Sequence, residues 1–242
     1  MKLTRPKEGD AFGLALWYAH NKAKIGEIVE NDKGYIFTND IGRYFAPHAK
    51  WSQNEKQAIA HMKGAVLDIG CGAGRHSLYA QERGHTVTAI DSSQLAIDVT
   101  KLRGVRDAQC LPIARVLELG DARYDTVLLL GCNIGLLGNR SRGKKILKLL
   151  HKVTAPEAII IGESIDPKNI DESILQNEGK RGVLRGQLRI RVRCSNLATA
   201  WMGYCYLALS ELADITQGTG WVVREHIAHG KRDYAVILAK KN

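Results

Sequence analysis

A chain of 242 residues, 45% hydrophobic and 25% charged, has the make-up of an ordinary globular protein, which excludes collagen-like and intrinsically disordered classes. Five prolines leave little linker material, and no uncharged apolar run approaches the roughly 18 residues that cross a bilayer. The excess of 35 Lys and Arg over 25 Asp and Glu gives a net charge of +10, which favours acidic or polyanionic partners and says nothing about fold.

In chain order, Met1-Lys2-Leu3-Thr4-Arg5-Pro6 lacks the apolar core of a secretion signal, so a cytoplasmic setting is expected. Residues 1–63 read as a mainly helical or irregular cap, with an apolar stretch at Ala11–Ala19 and an amphipathic helix at Ser52–Met62. From Ala65 onward the pattern changes. Short Val, Ile and Leu runs alternate with amphipathic stretches, which predicts buried parallel strands joined by helices. The strands are expected at Ala65–Ile69, Thr86–Asp91, Val105–Cys110, Tyr124–Gly131 and Ala158–Glu163. Helices are expected at Gly74–Arg83, Ser93–Arg103 and Arg140–Val153. Gln187–Cys194 alternates strictly and pairs with the aromatic Trp201–Leu209 as an inserted hairpin, at about 187–209. A helix at Ser210–Gly220 and a terminal hairpin of Trp221–Ala228 and Tyr234–Ala239 complete the chain.

The chemistry is concentrated in Val66-Leu67-Asp68-Ile69-Gly70-Cys71-Gly72-Ala73-Gly74-Arg75, an apolar strand that runs through three alternate glycines into a helix. Glycines allow close approach of a ligand to the backbone, and the helix start offers free N–H groups and partial positive charge. Twenty-one residues after Gly70, Asp91 ends the second strand in Thr88-Ala89-Ile90-Asp91-Ser92, placed to accept from both hydroxyls of a ribose. The spacing departs from the dinucleotide fingerprint: the third glycine comes one residue early and Arg75 takes its place. Asp68 would repel a pyrophosphate and suits an ammonium group.

These residues resemble the cofactor motif of the class I S-adenosylmethionine-dependent methyltransferases, with Asp68-Ile69-Gly70-Cys71-Gly72-Ala73-Gly74 as the first motif and Asp91 as the ribose acid. A poorly characterised bacterial subgroup is also similar over Arg43-Tyr44-Phe45-Ala46-Pro47 and over Leu129-Leu130-Gly131-Cys132-Asn133-Ile134-Gly135-Leu136-Leu137-Gly138. The resemblance implies a Rossmann-like, doubly wound seven-stranded α/β sheet of order 3-2-1-4-5-7-6 over residues 64–242, capped by residues 1–63. It also implies S-adenosylmethionine as cofactor, held by Asp68, Gly70, Cys71, Gly72, Gly74, Asp91, Ser92, Leu111, Cys132 and Asn133. The adenine loop has Gln109-Cys110-Leu111-Pro112-Ile113 where relatives commonly place an acid, so shape is expected to select adenine, with Leu111 on the ring. The Asp/Asn-Pro-Pro-Tyr/Phe signature of amino-methylating nucleic-acid enzymes is missing at the fourth strand.

The function expected is in-line methyl transfer to a small-molecule acceptor, with no metal. Tyr44, His48 and His20 are the candidates should the acceptor have to lose a proton. Tyr44 and His48 serve equally well as a staple for the cap, and Cys71 and Cys132 read as packing thiols. Tyr204 and Tyr206 share a strand face that either fills core or edges the acceptor pocket. The Arg189, Arg191 and Arg193 face is a candidate for attracting an acidic acceptor. Two basic stretches, Arg140–Lys152 and Lys180–Arg193, carry six Lys or Arg each without an acid. They keep RNA methylation open as a rival, alongside a non-catalytic cofactor-binding regulator and, more distantly, a nicotinamide dehydrogenase. The five cysteines, without metal-ligand spacing, read as buried thiols in a reducing compartment. Acceptor identity and oligomeric state are left open by these residues.

Overall fold

Runs of Val, Ile and Leu with no polar alternation demand cover on both faces, and this sets the architecture. The computed structural model describes residues 9–121, 123–175 and 182–241; the first eight residues and the start of the second basic stretch, 180–181, lie outside them. The cap contains α1 (Ala11–His20), β1 (Gly26–Asn31), β2 (Ile36–Asp40) and α2 (Gln53–Ile59). The alternating region follows as β3 (Val66–Ile69), α3 (Arg75–Glu82), β4 (Val87–Asp91), α4 (Gln94–Leu102), β5 (Asp107–Cys110), β6 (Tyr124–Leu129), α5 (Arg140–Val153) and β7 (Thr154–Ile165). The remainder is α6 (Glu172–Leu175), β8 (Gly186–Cys194), β9 (Leu197–Ala198), β10 (Met202–Tyr206), α7 (Leu209–Thr216), β11 (Trp221–Ile227) and β12 (Asp233–Lys240).

The larger sheet runs β11-β12-β7-β6-β3-β4-β5. Counted from β3 as the first strand, that is the expected order 3-2-1-4-5-7-6. Strands β3 to β7 pair in parallel, while β12 is antiparallel to both β7 and β11. On one face, Leu67, Ile69, Val127, Leu129 and Ile160 pack under Ile146, Leu147 and Leu150 of α5 and Leu212 and Ile215 of α7. On the other, Val66, Leu128, Ile159, Ile161 and Ile237 pack under Ala58 and Ile59 of α2 and Ala80 of α3. Side-chain caps set the helix starts: Ser52 accepts from Glu55 N–H, Ser93 from Ala96 N–H and Asn139 from Arg142 N–H. Strand β3 is the switch point, with β4 on one side and β6 on the other, so the ligand crevice opens above its C-terminal end.

The cap differs from the expectation. Between its helices, β1 and β2 form a hairpin through Asn31-Asp32-Lys33-Gly34, and β1 pairs with β8 to build a second, antiparallel sheet of order β10-β8-β1-β2, with β9 attached to β8. The late insertion is thus paired to the cap rather than standing as an isolated hairpin. Among the described residues no helix is long and apolar enough to cross a membrane.

Candidate active site

Strand β3 is buried along its whole length and delivers the chain to a turn in which Gly70 and Gly72 take left-handed φ values of +68° and +56°. A side chain at Gly70 would put its Cβ 2.6 Å from Asn133 Nδ2, and one at Gly72 would meet the Tyr44 ring at 3.3 Å. Both positions therefore need glycine for space and for backbone conformation. The turn is tied back by Gly70 N–H and Cys71 N–H, which both donate to Ile90 O. Gly74, with φ +76°, caps the start of α3 directly after this turn.

At the end of β4, Asp91 is 7% exposed. Its carboxylate accepts from Gly72 N–H at 3.0 Å and Ser93 N–H at 2.9 Å. Burial pushes its pKa up to about 6 against the pull of those two amides. Ser92 beside it is exposed, and Leu111 N–H donates to Asp91 O, which brings the buried Leu111 to the same crevice. Asn133 braces the other side: its Nδ2 donates to Ile69 O at 3.0 Å and Gly70 O at 2.9 Å, fixing the loop after β6 against the glycine turn. Cys132 in that loop has φ +67°, and its carbonyl accepts from Tyr204 OH at 2.6 Å. Asp68 turns inward. It is 2% exposed and accepts from Ser77 Oγ at 2.6 Å, so its carboxylate ties β3 to α3. Cys71 is buried with its thiol 3.8 Å from Thr100 Oγ1, and burial raises its pKa well above the usual value.

The three candidate proton acceptors are not brought together. Tyr44 donates its hydroxyl to both oxygens of buried Glu27, at 3.2 and 3.1 Å, and packs edge-on to Phe12 above Gly72. Burial and the Glu27 charge raise its pKa well above 10, which keeps it a donor at neutral pH. His48 stacks on Tyr79 at 4.5 Å and meets Trp51 at 5.1 Å, and burial followed by the Arg83 charge lowers its pKa. His20 stacks on Phe45 at 6.4 Å. Both histidines pack the cap. Tyr204 covers Gly135, where a Cβ would come 2.2 Å from the ring, and so seats β10 on the loop after β6. Arg191 and Arg193 are spoken for by Glu30 at 2.9 Å each, with Arg191 also over Trp201, so most of the basic face of β8 is answered within the chain. Of the cysteines, Cys71, Cys194 and Cys205 are buried, whereas Cys110 is exposed, contrary to the reading of all five as buried.

Sequence reasoning misses a second cluster. A cavity of about 580 Å³ opens between the cap and the ends of β7 and α3, with Arg43, Phe45, Trp51, Glu55, Arg75 and Glu163 in its wall. Glu55 is 3% exposed and accepts from Arg75 Nη2 at 2.5 Å, and a 2.6 Å bond joins it to His76 Nε2. Burial alone would raise it, but the His76 bond and the charges of His76 and Arg75 bring its pKa below the ordinary carboxylate value. Glu163 is 7% exposed and accepts from Gly131 N–H at 2.8 Å and Cys132 N–H at 3.3 Å. Burial and the Glu55 charge push it up to about 7. A carboxylate closing the apolar run Ile159-Ile160-Ile161-Gly162 is the one signal in the sequence that marks it.

A glycine turn and a buried acid at the switch point of such a sheet define a nucleoside-cofactor domain of the doubly wound α/β class. Residues 66–157 match the family model described as a methyltransferase domain. Over 98% of its length the chain superposes on 97% of a Bacteroides fragilis S-adenosylmethionine-dependent methyltransferase in complex with S-adenosyl-L-homocysteine, with a TM-score of 0.84 and 25% identity. The fold is shared, at a TM-score of 0.53 and 19% identity, with a Burkholderia thailandensis 1,6-didemethyltoxoflavin-N1-methyltransferase, over 77% of this chain and 76% of that one. Curated relatives include a putative methyltransferase, YqeM, of Bacillus subtilis, 24% identical over 53% of each chain. Another is a ubiquinone biosynthesis O-methyltransferase of Idiomarina loihiensis, 29% identical over 46% of this chain and 45% of that one. The match spans about half the length of these curated relatives. The domain match, the Bacteroides fragilis structure and the curated relatives together support a class I S-adenosylmethionine-dependent methyltransferase, a class whose cofactor is S-adenosylmethionine.

Proposed function

We propose that the chain transfers the methyl group of S-adenosylmethionine to a small-molecule acceptor bound in the cavity between the cap and the end of β7. The observation that carries this reading is the cavity itself: about 580 Å³ suits a small ligand, and its wall adjoins the cofactor turn. Arg75 Nη2 lies 3.8 Å from where a Cβ of Gly131 would stand, and Asn133, two residues on, holds Gly70 O.

The residues fit the cofactor. Two amides meet only part of the acceptor capacity of Asp91, and a pair of ribose hydroxyls supplies the rest. Leu111 offers an apolar wall for adenine, Gly70 and Gly72 leave room for the methionine portion, and Asn133 keeps the turn in place. Asp68, bonded to Ser77, acts by holding the strand to α3. When bound, the cofactor supplies a methyl group on a positively charged sulfur that leaves as a neutral thioether. The chain's task is then to align the acceptor within about 3–3.5 Å and to keep water out. Tyr44 and Phe12 cover the turn from the cap, which serves the second requirement. Five cysteines without a disulfide among the described residues support a reducing, cytoplasmic setting.

Incubation with methyl-labelled S-adenosylmethionine and a panel of phenols and nitrogen heterocycles tests the reading. A singly methylated acceptor with equimolar S-adenosylhomocysteine is expected, reduced at least about tenfold in Asp91→Ala. Label that appears in RNA and in none of the small acceptors overturns it.

A further inference from the structure

We propose that Glu163 is the proton acceptor of the methyl transfer, and that the substrate is therefore a hydroxyl or ring N–H compound that must lose its proton to be methylated. This inference rests on the methyltransferase reading above and adds to it the class of acceptor.

Position comes first. Glu163 lies at the C-terminal end of β7, on the crevice side of the sheet. It reaches sideways to Gly131 and Cys132, the opening of the loop whose Asn133 grips the cofactor turn. Both amides donate to the same oxygen, Oε2, and among the described residues no hydrogen bond reaches Oε1. No buried side-chain oxygen among the described residues is without a partner, so Oε1 is in contact with the cavity that Glu163 lines. It is a carboxylate oxygen held by its twin, with lone pairs free toward a ligand.

The surroundings favour this group over its neighbours. Glu55 on α2 is committed to Arg75 and His76. Asp40, also in the cavity wall, accepts from Gly42 N–H. Tyr44 is a donor to Glu27. The charged groups acting on Glu163 are Glu55 from α2, Arg75 from α3, Asp233 from β12 and Arg43 from the cap. The acids raise its pKa and the arginines lower it, and with burial the outcome is about 7. A base poised there is half ionised at neutral pH and accepts a proton without becoming a trap for it.

In the step, the acceptor's O–H or N–H proton passes to Glu163 Oε1. The electron pair left on oxygen or nitrogen forms the new bond to the methyl carbon, while the methyl–sulfur bond breaks with its pair staying on sulfur. The neutral Glu163 carboxyl then releases its proton to water at the cavity mouth.

The test uses the full chain saturated with S-adenosylhomocysteine and, as probe, 4-nitrophenol, whose acidity is near that of Glu163 and whose phenolate is coloured. At pH 6 the bound probe should show a phenolate fraction about threefold or more above that of free probe. Glu163→Gln, which keeps an acceptor for the two loop amides, should abolish the rise while S-adenosylhomocysteine affinity stays within about threefold. In a parallel experiment, carboxyl carbon resonances of glutamate-labelled protein should include one that titrates near pH 7 and is lost in Glu163→Gln. If that variant fails to bind S-adenosylhomocysteine, Glu163→Asp replaces it, with the rise at least halved because the oxygen is withdrawn by one methylene. No phenolate rise, an equal rise in the variant, or a Glu163 midpoint below 5 overturns the proposal. Failure of the wild-type chain to bind S-adenosylhomocysteine at all sinks the methyltransferase reading instead.

Discussion

Asp91 carries a conflict between stability and binding. Its folded pKa of about 6 stands above the ordinary 3.8, so the folded chain holds that proton more tightly than the unfolded chain does. The contribution to stability is therefore most favourable below about pH 4 and declines as pH rises to about 6, where the ionised carboxylate is fully desolvated. The cost at neutral pH is about 3 kcal/mol. Asp91→Asn should raise the unfolding free energy at pH 8 by about 1–3 kcal/mol, with the gain vanishing toward pH 4, while S-adenosylhomocysteine affinity falls at least about tenfold. Urea melts across that pH range read the first effect, and a difference independent of pH would refute it. Asp91 is legible in the sequence because its distance from the glycine turn is fixed by one βα unit. Glu163 is not, since its partners Gly131, Cys132 and Glu55 come from other elements and only the fold assembles them.

Among the elements, the parallel strands and their helices are readable because a strand buried on both faces is built mainly of Val, Ile, Leu and Ala; β3, β4 and most of β7 are of this kind, with Asp68, Thr88 and Asp91 as the buried polar residues of β3 and β4. The hairpin of β1 and β2 defeats the same reading. Its inward positions in β1 are Glu27, Val29 and Asn31, and Ile28 lies on the less buried side, so the hydrophobic alternation that marks a strand is inverted by polar residues with partners of their own. Asn31 donates to Ile174 O and accepts from Lys33 N–H and Tyr35 N–H, and Glu27 is held by Asn39 and Tyr44. The junction of α1 with α4 is also a side-chain device. Asp10 caps α1 through Gly13 N–H at 3.1 Å and the start of α4 through Ser93 Oγ at 2.6 Å and Leu95 N–H at 3.0 Å. Because Ser93 N–H in turn donates to Asp91, the Asp10 carboxylate couples the cap to Asp91 at the end of β4. Asp10→Ala should destabilise the chain by about 2–3 kcal/mol in urea unfolding, since two helix starts lose one acceptor. A loss under about 0.5 kcal/mol would show that the junction rests on its apolar contacts alone.

Across the whole molecule, three distant parts of the chain close around one crevice. The cap supplies Phe12, Tyr44 and Trp51, the parallel sheet supplies the glycine turn, Asp91 and Glu163, and the late insertion locks the loop after β6 through Tyr204. The second sheet ties two of these parts together by pairing β1 of the cap with β8 of the insertion. Among the described basic residues that suggested a polyanion partner, Arg191 and Arg193 pair with Glu30, Arg185 with Glu172 and Arg140 with Asp214, while Arg142, Lys145, Lys148 and Lys152 are exposed on α5, whose opposite side buries Ile146, Leu147, Leu150 and Val153. Whether this crevice holds an adenosyl sulfur compound is read by calorimetric titration of the purified chain with S-adenosylhomocysteine. One site per chain with a dissociation constant of about micromolar order, and no heat with NAD, is the expected result. No saturable heat up to millimolar S-adenosylhomocysteine, or preferential binding of NAD, would contradict it.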